Sequence, residues 1–208
     1  MIRLRDNSDN DADEYWNHNT AYHRWLLVIA AERRGDVLDV GCGDGLLAQR
    51  LASAARTVTA IDPDPVAIGR ARRRVDGLPG VSVAESAFDI YDPGSRQFDL
   101  ITFVASLHHL GTRAALLRAR AMVKPGGTIA VVGLSANRTV GDWIWSGICL
   151  PAVRVGSWWH SEVRDIGVAV ADPREDLGEI RRVAGDVLPG SVIRRALYYR
   201  YLLRWTRR

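Results

Sequence analysis

The sequence predicts an α/β protein: a doubly wound, mostly parallel sheet between two layers of helices. Three observations carry that expectation. Short apolar and β-branched runs alternate with longer segments of helical spacing. The first such run, Val37-Leu38-Asp39-Val40, enters the glycine-rich turn Gly41-Cys42-Gly43-Asp44-Gly45 directly. The second, Val58-Thr59-Ala60-Ile61, ends on Asp62. A glycine turn after one strand and an acid roughly 20 residues later, at the end of the next, form a nucleotide cradle.

The elements follow in order. Residues Met1 to Glu14 are polar and acid-rich and read as a mobile arm. From Tyr15 the composition turns aromatic. Asn19 or Thr20 caps a helix that runs to about Arg34 and stops at Gly35, its apolar spacing turned to the sheet. Strand Val37 to Val40, helix Gly45 to Ala54, strand Val58 to Ile61 and helix Pro65 to Val75 come next. Strands Val81 to Glu85 and Leu100 to Val104 precede helix Thr112 to Met122 and strand Thr128 to Gly133. Lys124-Pro125-Gly126-Gly127 reads as a sharp stop between that helix and that strand. Asn137 to His160 contains Trp143, Trp145, Trp158 and Trp159 and reads as an insertion with one or two short helices. Helix Pro173 to Val187 ends at Pro189-Gly190, and the tail from Val192 to Trp205 reads as two terminal strands.

Composition narrows the function classes. The chain of 208 residues is long enough for one large core, and 47% apolar with 25% charged residues is ordinary for a globular protein. The net charge is +4, but the basic side is arginine apart from Lys124. Those arginines are scattered, clustering at Arg70 to Arg74 and at the C-terminus, without one phosphate-tracking stripe, so no nucleic-acid partner is expected. Cys42 and Cys149 make neither a disulfide framework nor a metal site. Neither an apolar signal region nor a run of membrane-spanning length is present, and a cytoplasmic location is expected.

The glycine turn has Gly-x-Gly-x-Gly spacing, not the Gly-x-Gly-x-x-Gly that seats a pyrophosphate on a helix N-terminus. Asp39 beside it and Asp44 within it would repel a pyrophosphate and suit a cationic ligand. With Asp62, this pattern resembles the nucleoside-binding motif of class I S-adenosylmethionine-dependent methyltransferases, over roughly Asp36 to Val132. The resemblance implies a Rossmann-like sheet with an antiparallel last strand, which the hairpin-like tail matches, and a family turn at Lys124 to Gly127. It divides a single domain, 1–208, into an N-terminal helix and lid (1–35), a cofactor-binding core (36–133), a tryptophan-rich insertion or cap (134–170) and a last helix with closing hairpin (171–208).

The resemblance also implies S-adenosyl-L-methionine as cofactor and assigns residues to it. Asp62 takes the ribose hydroxyls and Pro63 walls the adenine. Gly41 and Gly43 pass under the ligand, with the small side chain of Cys42 packed between them. Asp39 orients the loop or reaches the methionine amino group through water. Phe98 to Leu110 matches the fourth-strand motif, which puts Val104 and Ala105 at the methionine part and His108 and His109 near the transferred methyl. Either histidine is placed for a general base, while His109 also occupies the position of a structural histidine in the family. Tyr15, His18, Tyr22 and His23 read as a lid, with Tyr22 reaching the cofactor, or as one side of a helix packed on the sheet edge.

One departure stands out. The third strand of the family often ends in Gly-Asp, whose acid receives the adenine amino group; here Ser86-Ala87 stands there, followed by Phe88 and Asp89. Ala87 cannot accept that bond. Phe88 stacks, offers its backbone amide or packs in the core, and Asp89 substitutes only if the loop shifts. The reading that follows is methyl transfer to a small-molecule acceptor, aromatic or isoprenoid-like if the tryptophans wall it, by a monomer or homodimer. The alternatives are a protein that binds the cofactor without methyl transfer, an RNA methyltransferase, and a nicotinamide oxidoreductase, which the glycine spacing and the terminal hairpin disfavour.

Overall fold

The computed structural model describes residues 15–136, 173–197 and 200–208; the expectations for the N-terminal arm and the tryptophan-rich stretch lie outside them. Strands β1 (Asp36–Val40), β2 (Thr57–Asp62), β3 (Val81–Glu85), β4 (Phe98–Val104), β5 (Val123–Leu134), β6 (Val192–Arg195) and β7 (Arg200–Thr206) form one sheet. Its order is β3-β2-β1-β4-β5-β7-β6. The pairings from β3 across to β5 are parallel, and β7 runs antiparallel to β5 and β6. The doubly wound sheet with an antiparallel last strand is therefore present.

Helices cover both faces, because each inner strand is apolar on both sides. Leu38, Val40, Ile101, Phe103, Ile129 and Val131 face α5 (Thr112–Met122) and α6 (Leu177–Val187) through Leu116, Ala119, Ile180 and Val183. Val37, Val58, Ala60, Leu100, Ala130 and Val132 face α1 (His23–Arg33), α2 (Leu46–Leu51) and α3 (Pro65–Arg74) through Leu26, Ile29, Leu47, Leu51 and Ile68. The chain winds outward from β1 to β3 and then crosses back to β4 on the other side of β1. That reversal opens a crevice at the carboxyl ends of β1 and β4, where α/β sheets bind ligands.

Several boundaries differ from the sequence reading, each for a local reason. Asn19 stands at the N-cap of the first helical segment, as expected, but its side chain makes no cap bond and Asn17 supplies one instead. Its Oδ1 accepts the Asn19 and Thr20 N–H groups (2.9 and 3.0 Å), and Thr20 Oγ1 accepts the Asn17 N–H (2.9 Å), a reciprocal cap. A 3-10 turn over Thr20–Tyr22 then leads into α1. The helix ends on Arg34 in the left-handed region (φ 48°). Gly35 instead makes room for the Asp99 carboxylate, which accepts the Asp36 N–H (2.7 Å). α6 begins at Leu177 because Asp176 and Glu179 form a capping box, each carboxylate accepting the other's N–H at 2.9 Å. A short helix, α4 (Leu107–Leu110), was not expected.

Lys124 to Gly127 is not a stop between elements. β5 already starts at Val123, and these residues form an irregularity where the β4 register shifts between Phe98 and Leu100. Gly126 N–H donates to Arg207 O (2.7 Å) and Arg207 N–H to Gly127 O (2.9 Å), which ties the C-terminus to the sheet. Lys124 Nζ bridges Asp36 (3.1 Å) and Asp99 (2.7 Å). Arg56 first, with Thr57 and Lys124 adding to it, holds the Asp36 carboxyl well below the usual range against the opposing effect of desolvation. This end of the sheet is an ion-pair platform; the reactive end is opposite.

Where β5 meets β7, Gly133 pairs with Tyr201, which is 2% exposed. A Cβ at position 133 would fall 2.3 Å from the Tyr201 ring. Gly133→Ala should therefore destabilise the protein by about 1–3 kcal/mol through overpacking. Urea unfolding checks this; an unchanged midpoint would mean that the buried Tyr201 ring gives way to the added methyl without cost.

Candidate functional site

A cavity of about 820 Å³ opens at the carboxyl ends of β1, β2, β3 and β4. Its floor is the glycine turn. Gly41 has φ 72° and Gly43 φ 54°, both in the left-handed region. Gly41 has a second constraint, since a Cβ there would lie 2.4 Å from that of Ser106, whose hydroxyl donates to Val40 O (2.6 Å). The turn's amides are committed inward: Gly41 and Cys42 donate to Ile61 O (2.8 and 3.0 Å), and Gly43 donates to Asp62 Oδ2 (2.9 Å). An anion-binding nest presents successive free N–H groups to its ligand. This turn does not, so it is no pyrophosphate cradle.

Three carboxylates lie around that floor, and they differ. Asp44 is neutralised in place: Arg74 pairs with its Oδ2 (2.9 Å) and also donates to its backbone carbonyl (3.0 Å), while Tyr15 donates to Oδ1 (3.0 Å). The cation that answers Asp44 is thus built in, contrary to the expectation that it serves a ligand. Burial, then Asp44, pushes the Tyr15 hydroxyl pKa up, so it stays a donor. Asp62, 8% exposed, accepts Asp64 N–H on Oδ1 (2.9 Å) and Gly43 N–H on Oδ2, keeping further lone pairs.

Asp39 is 1% exposed. Thr102 Oγ1 donates to its Oδ1 (2.8 Å), but Oδ2 is buried with no hydrogen-bond partner among the described residues. Burial, and next to it the charge of Asp62, raises its pKa to about 7 against the stabilising Thr102 bond. A buried acceptor without a donor is costly unless a ligand supplies one.

Further round the cavity, His23 is buried and accepts from Arg50 (Nδ1 to NH1, 3.1 Å), which leaves Nε2–H as its donor. Burial, then Arg50, lowers its pKa to about 3, so it is neutral. Burial, with Asp39 and Asp62 adding to it, pushes the Cys42 thiol well up and makes it unreactive. Ala105 holds φ 51°, a strained conformation for a residue with a Cβ, beside Val104 on the cavity wall. His108 and His109 lie on α4 with ring centroids 4.0 Å apart and tilted by 38°; both line the cavity, and His109 is exposed.

Of the expected contacts, Asp39, Gly41, Cys42, Gly43, Asp62, Pro63, Ala87, Phe88, Val104, Ala105, His108 and His109 converge on this cavity. Tyr22 is not among its lining. Its hydroxyl donates to Leu197 O (2.7 Å) instead, while Asn17, His18, Asn19 and His23 of the same segment line the space. The sequence pattern does not reveal the roles of Thr102, Arg74, Ser106 and Arg200, because each acts through partners remote along the chain.

Comparisons with known proteins show the family. A family profile described as a methyltransferase domain matches residues 38–129. An uncharacterized methyltransferase of Mycobacterium bovis is 37% identical over 198 residues, covering 93% of this chain and 98% of the relative. The chain is a class I S-adenosylmethionine-dependent methyltransferase. The ubiquinone biosynthesis O-methyltransferase of Pseudomonas syringae pv. tomato is 34% identical over 116 residues, covering 54% of this chain and 50% of that one. Among solved structures, the N-methyltransferase NodS of Bradyrhizobium japonicum WM9, in complex with S-adenosyl-L-homocysteine, shares the fold. Its TM-score is 0.59 at 21% identity, over 92% of this chain and 88% of NodS.

A methyltransferase of this class uses S-adenosylmethionine, and the residues present suit that group. It carries an ammonium, a sulfonium and a ribose diol, and the cavity presents one unpartnered buried carboxylate oxygen, a second buried carboxylate and a wall of small residues.

A stability test follows from Asp39. The native state holds this proton more tightly than the unfolded chain, whose carboxyl titrates at 3.8, so ionising it removes stability as pH rises from about 4 to about 7. His23 works in the opposite direction, its contribution being lost as pH falls from about 6.5 to about 3, which flattens the wild-type profile. The difference between variant and parent isolates the carboxylate. Without ligand, Asp39→Asn should gain on wild type by roughly 3 kcal/mol between about pH 4 and pH 7.5. Parallel unfolding profiles over that range would show that Asp39 is not a strained acid.

Proposed function

We propose that this methyltransferase acts on a small-molecule acceptor held beside the cofactor in the same cavity, with an aromatic or isoprenoid-like acceptor as the favoured class. The observation that carries the cofactor pose is the unpartnered Oδ2 of Asp39 next to Asp62. In this pose Asp62 accepts the ribose hydroxyls with the lone pairs its two backbone bonds leave over. Asp39 takes the ammonium of the methionine arm, directly or through one water. Gly41 to Gly43 run beneath the arm, Val104 and Ala105 flank it, and Pro63, Ala87 and Phe88 lie towards the base. When bound, the cofactor supplies an electrophilic methyl group on a sulfonium.

The chain's own contribution is positioning, exclusion of water and proton management. Holding the acceptor in line provides most of the acceleration for such a transfer. His108 and His109, at the mouth of the cavity, are placed to take a proton from an acceptor hydroxyl or amine. The segment from Tyr15 to His23 acts as a lid. Two bonds moor it to the β6–β7 end of the sheet: Tyr22 to Leu197 O (2.7 Å) and Arg200 Nε to Asn19 Oδ1 (2.9 Å). Supporting a small acceptor are the cavity volume, at the upper part of the roughly 300–1,000 Å³ range of small-molecule sites, and the partial likeness to a ubiquinone-pathway O-methyltransferase.

Calorimetric titration with S-adenosylmethionine and S-adenosylhomocysteine, with NADH as control, tests this reading, followed by an acceptor screen. Micromolar binding of the first two alone is expected. Asp62→Ala should remain folded and lose at least thirtyfold in affinity for both; unchanged affinity would sink the ribose assignment.

A further inference from the structure

The cofactor pose above also orients the base. With the amino-acid arm at the end of β1 and the ribose at the end of β2, the base must lie over the end of β3, against Ser86, Ala87 and Phe88. Two carbonyls of that turn, those of Ala87 and Phe88, already hold donors. Ala87 O accepts Ile90 N–H (3.3 Å), Tyr91 N–H (3.0 Å) and the Ser86 hydroxyl (3.1 Å). Phe88 O accepts Arg118 Nε (2.7 Å), and Tyr91 O accepts the same guanidinium. The acids do not replace them: Glu85 and Asp89 are exposed and do not line the cavity, and Asp64 caps α3 by accepting Val66 N–H (2.8 Å).

Arg118 reaches this turn from α5. Besides its two carbonyl bonds, its guanidinium lies 5.6 Å from the Phe88 ring centroid. Phe88 in turn meets Phe103 edge-on, with centroids 5.4 Å apart and planes at 86°. The turn is thus locked from behind by a cation and two rings.

We propose that this methyltransferase recognises the cofactor's base by shape and packing on a turn that Arg118 positions, without reading the 6-amino group. The proposal rests on the cofactor pose above. Arg118 is a positioning residue here, and among the described residues the Ala87 and Phe88 carbonyls that would meet the adenine 6-amino group are already occupied, with no carboxylate of this turn lining the cavity. Cofactors that lack or carry substituents on that amino group are accordingly accepted.

The test uses the full chain and two ligands, S-adenosylhomocysteine and its analogue with purine in place of adenine, titrated by calorimetry. Wild type should bind the two within fivefold of each other. Ala87→Asp, which restores a carboxylate to the turn, should open a gap of tenfold or more in favour of adenine. Arg118→Ala should weaken both ligands together by about tenfold at a temperature where its unfolding profile shows it folded. A wild-type preference for adenine above fivefold would overturn the proposal while leaving the cofactor pose intact. The absence of a gap in Ala87→Asp would overturn the placement of the base, and unchanged affinities in Arg118→Ala would overturn the role of that arginine. Failure of wild type to bind S-adenosylhomocysteine at all would overturn the cofactor pose and this inference with it.

Discussion

Two carboxylates, Asp39 and Asp62, sit buried near each other at the ends of adjacent parallel strands, without a cationic partner among the described residues. Most features of the active end follow from that juxtaposition. β1 and β2 are in register, so Asp39 lies opposite Ala60, two residues before Asp62 at the end of β2. β4 supplies Thr102, in register with Asp39 on the other side, as its one donor among the described residues. Burial and the neighbouring negative charge then keep Asp39 near the midpoint of its titration at neutral pH. A fold selected for stability alone would place an amide or an apolar residue there. The strain is tolerable because it vanishes when a cation arrives, and the same change stabilises the complex.

The third acid shows that this arrangement is specific. Asp44 is one residue from Gly43 and as well buried as Asp62, yet Arg74 from α3 neutralises it and Tyr15 from the lid segment covers it. Removing Arg74 would leave an unpaired buried charge, whereas the absence of a protein cation at Asp39 leaves a place for a ligand. The glycine turn supports the same division. The amides of Gly41, Cys42 and Gly43 are turned inward to β2, so they form a low floor for a positively charged ligand and are not presented to a phosphate.

Much of this was legible in the sequence because strands, glycine turns and acids at strand ends are local patterns. Val37 to Asp62 contains the first two parallel strands and the floor of the site within one short stretch. The α6 capping box was also visible, as Asp176 three residues before Glu179, but helix periodicity alone drew the start too early at Pro173. What escaped notice was tertiary. Thr102 answers Asp39 from 63 positions away, Arg118 answers Phe88 from 30, and Arg74 answers Asp44 from 30. By pattern alone Arg74 is part of a basic cluster and Tyr22 a cofactor contact, because neither spacing nor composition reveals which partner a long side chain meets. The turn at Lys124 looked like a stop since proline and glycine usually end elements, whereas pairing to Arg207 holds it inside β5.

The account rests on Asp39 being an acid held part-protonated until a cationic ligand arrives. The direct measurement is the number of protons exchanged on binding S-adenosylmethionine, from calorimetry at about pH 6.5 in two buffers of different ionisation enthalpy. Wild type should release more than half a proton per ligand, because binding pulls the Asp39 pKa down from near 7, and Asp39→Asn should release none. Binding with no proton release in wild type would contradict the account, since it would mean that the carboxylate is already ionised or lies outside the ligand's reach.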